Sequence, residues 1–210
     1  VSYTLCYTFE LISYDTDIDL GFWQGTDLMP LLQALPAEDF LIRQKPLPGG
    51  KSDLASILSD TINFSIVYKN RVYLDLYRHW REQDNVRSGF EIGSQPMLYE
   101  VSDFELTTTA FLDREFLIPD SKTRYLTECY GGWETPDPYF ETALDSPNLV
   151  GGFPAHARAM AYYRAAQRLF NGNHMKGLNL LEKLIAREED SAELETILSR
   201  FKARAQENAS

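Results

Sequence analysis

Asp15-Thr16-Asp17-Ile18-Asp19-Leu20 alternates acidic residues with β-branched or apolar ones. On a strand, a period of two puts Asp15, Asp17 and Asp19 on one face and Thr16, Ile18 and Leu20 on the other. A calcium loop would need Gly at its sixth position and Glu at its twelfth. Those positions hold Leu20 and Thr26, which excludes it. Two readings remain. A solvated edge strand uses charge to discourage pairing with other chains. Alternatively, carboxylates two residues apart reach one hard divalent cation or a pair of them. The spacing alone leaves both open.

Such a metal site usually takes a third carboxylate from a neighbouring strand. Asp75 stands alone inside the β-prone run Val72-Tyr73-Leu74-Asp75-Leu76-Tyr77. An unpaired carboxylate buried there would cost several kcal/mol. Its compensation is either a basic neighbour (Arg71, Arg78 or His79) or a cation shared with Asp17 and Asp19.

The chain has 210 residues, enough for one domain with an appendage and a core that needs no covalent staples. Its 44% hydrophobic and 24% charged content is that of an ordinary globular protein. With 20 basic and 31 acidic residues the formal charge is −11, which argues against a phosphate-binding face for nucleic acid. The acids are crowded early. Glu10, Asp15, Asp17, Asp19, Asp27, Glu38 and Asp39 all precede the first basic residue, Arg43. Such crowding is repulsive unless the carboxylates are solvated or share a cation. Cys6 and Cys129 are too few for a disulfide framework and read as small buried apolar residues. Apolar runs fall short of the ~20 residues of a membrane helix, and residues 1–12 lack the pattern of an export signal. The expectation is therefore a cytoplasmic protein with no membrane span.

Working outward, residues 3–11 and 15–20 read as strands. Thr26 or Asp27 would cap a helix over 28–35, ended by Pro36. Residues 40–44 form a short strand and 46–52 a loop. Residues 62–68 and 71–77 form a hairpin around Lys69-Asn70. Strands over 99–106 and 111–118 follow, then a helix over 121–129 capped by Ser121, then a loop over 130–148. After Gly151-Gly152 the pattern turns helical, with helices expected over 155–170, 174–186 and 191–205. The predicted division is a mixed α/β domain over 1–150 and a helical extension over 151–210.

Gly49-Gly50-Lys51-Ser52 lacks the earlier glycine of a phosphate-binding loop, since position 45 is Lys. It either lends Lys51 to a phosphate or is a plain turn. Arg78, His79, Arg81 and Arg87 follow Asp75 closely. They either bind substrate or balance the acids on a surface loop. Trp133, among Gly and Pro, suits stacking on a ring or pinning of its loop. His156 and His174, in helical contexts, read as structural or exposed. The leucine stripe and the Tyr162-Tyr163 pair of the tail suit core packing or a protein partner.

Taken in order, these motifs resemble the LicD/fukutin group of the nucleotidyltransferase superfamily. The resemblance rests on Asp-Thr-Asp-Ile-Asp-Leu-Gly at 15–21 and Leu-Asp-Leu-Tyr-Arg-His-Trp-Arg at 74–81. It continues through Phe-Leu-Asp-Arg-Glu-Phe-Leu-Ile-Pro at 111–119, Tyr125-Leu126, Tyr-Gly-Gly-Trp-Glu-Thr-Pro-Asp-Pro at 130–138 and Asp-Ser-Pro-Asn-Leu at 145–149. It spans roughly 11–149. It implies a nucleotidyltransferase-like mixed sheet with flanking helices. It also implies that Asp17, Asp19 and Asp75 are the catalytic residues and hold Mg²⁺ or Mn²⁺. The implied reaction moves a phosphorylated group, phosphocholine or a polyol phosphate, from a nucleotide-diphosphate donor to a glycan or other hydroxyl. Lys51, Arg78, His79, Arg87 and Trp133 are the substrate-binding expectations beside them. The family's glycine-containing segment upstream of the acidic strand has no counterpart in Val-Ser-Tyr-Thr-Leu-Cys-Tyr-Thr-Phe-Glu at 1–10. Two alternatives therefore stand beside the lead: a sugar-nucleotide glycosyltransferase, which also uses an Asp-x-Asp pair, and an inactive relative used for binding or scaffolding.

Overall fold

From Asp17 onward the acidic alternation does become a strand. The computed structural model describes residues 17–43, 58, 61–69, 71–92, 95–135, 137–187, 195–196, 198–200 and 202–203; for Asp17 and Arg43 it describes the backbone alone. The expected strand over 3–11, Asp15, and the 46–52 loop with Lys51 lie outside the described residues. The chain divides into two compact units, Val1–Gly132 and Trp133–Ser210. The Gly151-Gly152 composition change thus lies inside the second unit.

In the first unit, β1 (Asp17–Trp23), β2 (Phe40–Arg43), β3 (Asn63–Tyr68), β4 (Val72–Glu82), β5 (Asn85–Ile92) and β6 (Gln95–Ser102) form one six-stranded sheet. Its order is β2-β3-β4-β5-β6, antiparallel throughout, with β1 added parallel to β4. The sheet is therefore mixed. Its apolar face is the even-numbered one of β1. Phe22 packs there with Phe64, Ile66, Leu74 and Leu76 beneath Leu28 and Leu32. Leu32 belongs to the short helix α1 (Met29–Ala34). Leu28 stands at the N-cap position of that helix, and Asp27, one residue earlier, accepts the Met29 N–H on its Oδ1 at 3.0 Å in an Asx turn. A second cluster of Val86, Val101 and Phe104 takes in Trp23, Tyr125 and Cys129.

Several expectations need correction. The region after Asp75 is not a surface loop: β4 continues to Glu82 and turns at Gln83 (φ 57°) into β5. The expected strand over 99–106 is interrupted after Ser102. Asp103 turns its carboxylate onto the Phe104 N–H at 2.9 Å and onto Arg81, so the backbone leaves the ladder. The expected strand over 111–118 is a separate hairpin, β7 (Leu106–Phe111) with β8 (Arg114–Pro119). Leu112 and Asp113 at its tip carry φ of 47° and 61°. That left-handed pair is what a two-residue type I′ turn requires. Helix α2 (Lys122–Tyr130) follows. Ser121 stands at its N-cap position, but its side chain makes no capping bond.

The second unit is helical. A short helix α3 (Thr142–Asp145) lies within the stretch expected to be loop. Helices α4 (Ala155–Phe170) and α5 (His174–Ile185) fall where the periodicity places them. Ala157, Ala161 and Ala165 recur every four residues on α4 and are buried. Ala161 and Ala165 cluster with Leu144, Leu180, Leu181 and Leu184. Glu141, 4% exposed, is held by Arg164 at 2.5 Å and Arg168 at 3.3 Å. The described residues between 195 and 203 are helical.

Candidate functional site

The register of β1 on β4 decides which of the predicted residues meet. Asp19 pairs directly with Asp75, and Asp17 holds the position opposite Tyr73. Paired residues on neighbouring strands share a face and stand about 4.8 Å apart. Asp75 is in turn paired with Ser65 of β3. Asp19, Asp75 and Ser65 therefore form a polar row across three adjacent strands, on the face opposite the Phe64, Ile66 and Leu76 core. Both carboxylates are partly buried. Asp75 Oδ1 is shielded from solvent and has no hydrogen-bond partner among the described residues. Neither Arg71 nor His79 compensates it. A buried carboxylate oxygen left in this state is costly unless something charged or protic meets it.

A hard divalent cation is one such partner. The row offers oxygen ligands without sulfur or a second imidazole, which suits Mg²⁺ or Mn²⁺ and not Zn²⁺. Asp17 would complete a set of three. Among the described residues no group of three His, Cys, Asp or Glu side chains gathers at metal-binding distance, the Asp17 side chain being outside that description.

Two residues further along β1, Gly21 lies beneath the His79 imidazole. A Cβ at Gly21 would come within 2.8 Å of His79 Cε1. Glycine is thus what lets the ring lie against the strand. His79 Nδ1 is 3.0 Å from the Tyr77 carbonyl oxygen. A carbonyl can only accept, so Nδ1 carries the proton and donates, which leaves Nε2 as a lone-pair acceptor. Burial holds the His79 pKa down to about 4, so the ring is neutral near pH 7.

His79 and Gly21 border a cavity of about 260 Å³ whose walls include Trp23, Phe104, Tyr125, Leu117 and Pro119. Its aromatic wall is braced from behind. The Arg81 guanidinium lies 4.8 Å from the Trp23 ring centroid and pairs with Asp103 and Glu105 at 2.9 Å each. Arg81 also donates to the Phe104 carbonyl at 3.0 Å. Trp23 shares the parity of Asp19, so the period-two reading of the acidic strand already carried the signal for it. Phe104 arrives from a distant segment and had none, and Tyr125 was marked only as part of the family resemblance, with no role at a site.

Of the other predicted residues, Arg78 and Arg87 do not converge here. Arg78 points to the opposite face, lying 5.9 Å from the Phe22 centroid and donating to the Leu58 carbonyl. Alternation on β4 forces this: neighbours of a strand residue point the other way, so Arg78 and His79 do not serve one face. Arg87 is committed to Glu82 and Glu100, at 2.6 Å each. Trp133 is buried and belongs to the second unit, not to the unit carrying the carboxylates. Lys51 lies outside the described residues. No family model, curated protein or solved structure matches the chain.

Proposed function

We propose that the chain is a Mg²⁺- or Mn²⁺-dependent transferase of the LicD/fukutin kind, with a nucleotidyltransferase-like sheet. It would move a phosphorylated group from a nucleotide-diphosphate donor to a hydroxyl on a glycan or other acceptor. The observation that carries the reading is the direct pairing of Asp19 with Asp75, with Asp75 Oδ1 buried and without a partner among the described residues. Asp17, Asp19 and Asp75 are the ligands. When bound, the ion supplies neutralisation of the diphosphate charge. The protein's share is positioning: a parallel ladder fixes the two carboxylates relative to each other, and their partial burial keeps water from competing for them. The acceptor approaches along the same face, toward Gly21 and His79.

Product analysis tests this against the nearest alternative. Incubated with Mg²⁺, an acceptor and a panel of nucleotide-activated donors, the protein should release a nucleoside monophosphate, seen by anion-exchange chromatography. Release of a nucleoside diphosphate would make it a glycosyltransferase. No release from any donor would support a binding or scaffolding role.

A further inference from the structure

We propose that the cavity between Trp23, His79 and Tyr125 is a subsite for one hydroxylated ring, a sugar or cyclic polyol, with a ring hydroxyl donating to His79 Nε2. Its identification as the acceptor's subsite rests on the transferase reading above; the binding itself does not. Four observations support it. First, position: the cavity begins at Gly21, two residues beyond Asp19 on the same face of β1. Second, polarity: the walls are mostly apolar and aromatic, with Thr26 the one non-aromatic polar side chain among the described lining residues, and the Tyr77 carbonyl fixes the His79 tautomer that presents an acceptor. Aromatic rings pack the C–H face of a sugar, while one acceptor selects a hydroxyl. Third, size: about 260 Å³ falls below the roughly 300–1,000 Å³ of pockets for drug-sized ligands, so it takes one ring and not a nucleotide. Fourth, rigidity: Arg81 ties Trp23 and the Phe104 backbone to Asp103 and Glu105 before any ligand arrives.

The test uses the intact chain and imidazole ¹H–¹⁵N NMR. With three histidines in the sequence, the His79 signal is assigned by its loss in His79→Gln. Methyl hexopyranosides are titrated as probes, with tetrahydropyran as the ring lacking hydroxyls. For a ring of this size binding should be on the order of 1 mM. Saturable binding should move the His79 Nε2 resonance, and tetrahydropyran should not. Gly21→Ala, which pushes the imidazole off the strand, should abolish the shift, and Trp23→Leu should weaken binding about tenfold. An unchanged Nε2 resonance with every glycoside overturns the subsite. An equal response to tetrahydropyran overturns hydroxyl recognition. Titrating Mg²⁺ with nucleotide on the same samples separates the two claims: ring binding in a protein that binds no nucleotide would sink the transferase reading and leave the subsite standing.

Discussion

His79 couples the chemistry of one residue to the stability of the protein. Its pKa of about 4 in the folded protein compares with about 6.5 when the chain is unfolded. Between these values the unfolded chain binds the proton and the folded one does not, so folding weakens as pH falls. Above pH 6.5 the neutral ring carries no such penalty. At pH 5 the loss should be about 2 kcal/mol relative to pH 7, approaching about 3 kcal/mol below pH 4. Urea unfolding of wild type and His79→Asn checks this. The stability difference between the two should move toward the variant by about 2 kcal/mol from pH 7 to pH 5, since His156 and His174 are common to both. A difference independent of pH would contradict the burial argument. The sequence placed His79 close after Asp75 and left its role open between substrate and surface. What settles its surroundings is Gly21 on another strand, a contact that no local pattern reveals.

Strands carry most of what was legible. Period-two alternation located β1, because one buried face imposes that pattern, and two β-rich runs around Lys69-Asn70 located the β3–β4 hairpin that holds Asp75. That Asp75 joins Asp17 and Asp19 was one of two readings of the residues and was also implied by the family resemblance; the direct pairing of Asp19 with Asp75 was not legible, since pairing of distant strands leaves no local trace. The β7–β8 hairpin was missed for a clear reason: Leu112 and Asp113 occupy left-handed positions that favour Asn and Gly, so the turn signal was absent. Leu112 is 66% exposed and gives up little packing if replaced. Leu112→Asn with Asp113→Gly should therefore raise stability by about 1 kcal/mol, because an L residue held in that region costs roughly 1–2 kcal/mol. Thermal unfolding would show a higher midpoint. An unchanged or lower midpoint would mean that these side chains hold the tip by some other contact.

At the scale of the molecule, 31 acidic residues against 20 basic ones leave a charge of −11, which ion pairs such as Arg81–Asp103 and Arg87–Glu100 do not change, since each joins one positive group to one negative. The two long helices of the second unit, α4 and α5, were legible from their composition and leucine pattern, while the short α3 was not. The start of that unit at Trp133 was not, because the turn-rich stretch after Gly132 gives no compositional break before Gly151. The central claim is that the carboxylates of β1 and β4 act together on one cation. Calorimetric titration of Mg²⁺ with a nucleoside diphosphate into wild type, Asp15→Ala, Asp19→Ala and Asp75→Asn tests it most directly. Wild type and Asp15→Ala should bind alike. Asp19→Ala and Asp75→Asn should each weaken Mg²⁺-dependent binding by more than about tenfold, with the unfolding midpoint kept or raised because like-charge repulsion is relieved. Equal binding by all four proteins would show that the acidic strand is a solvated edge and that no shared cation joins Asp19 to Asp75.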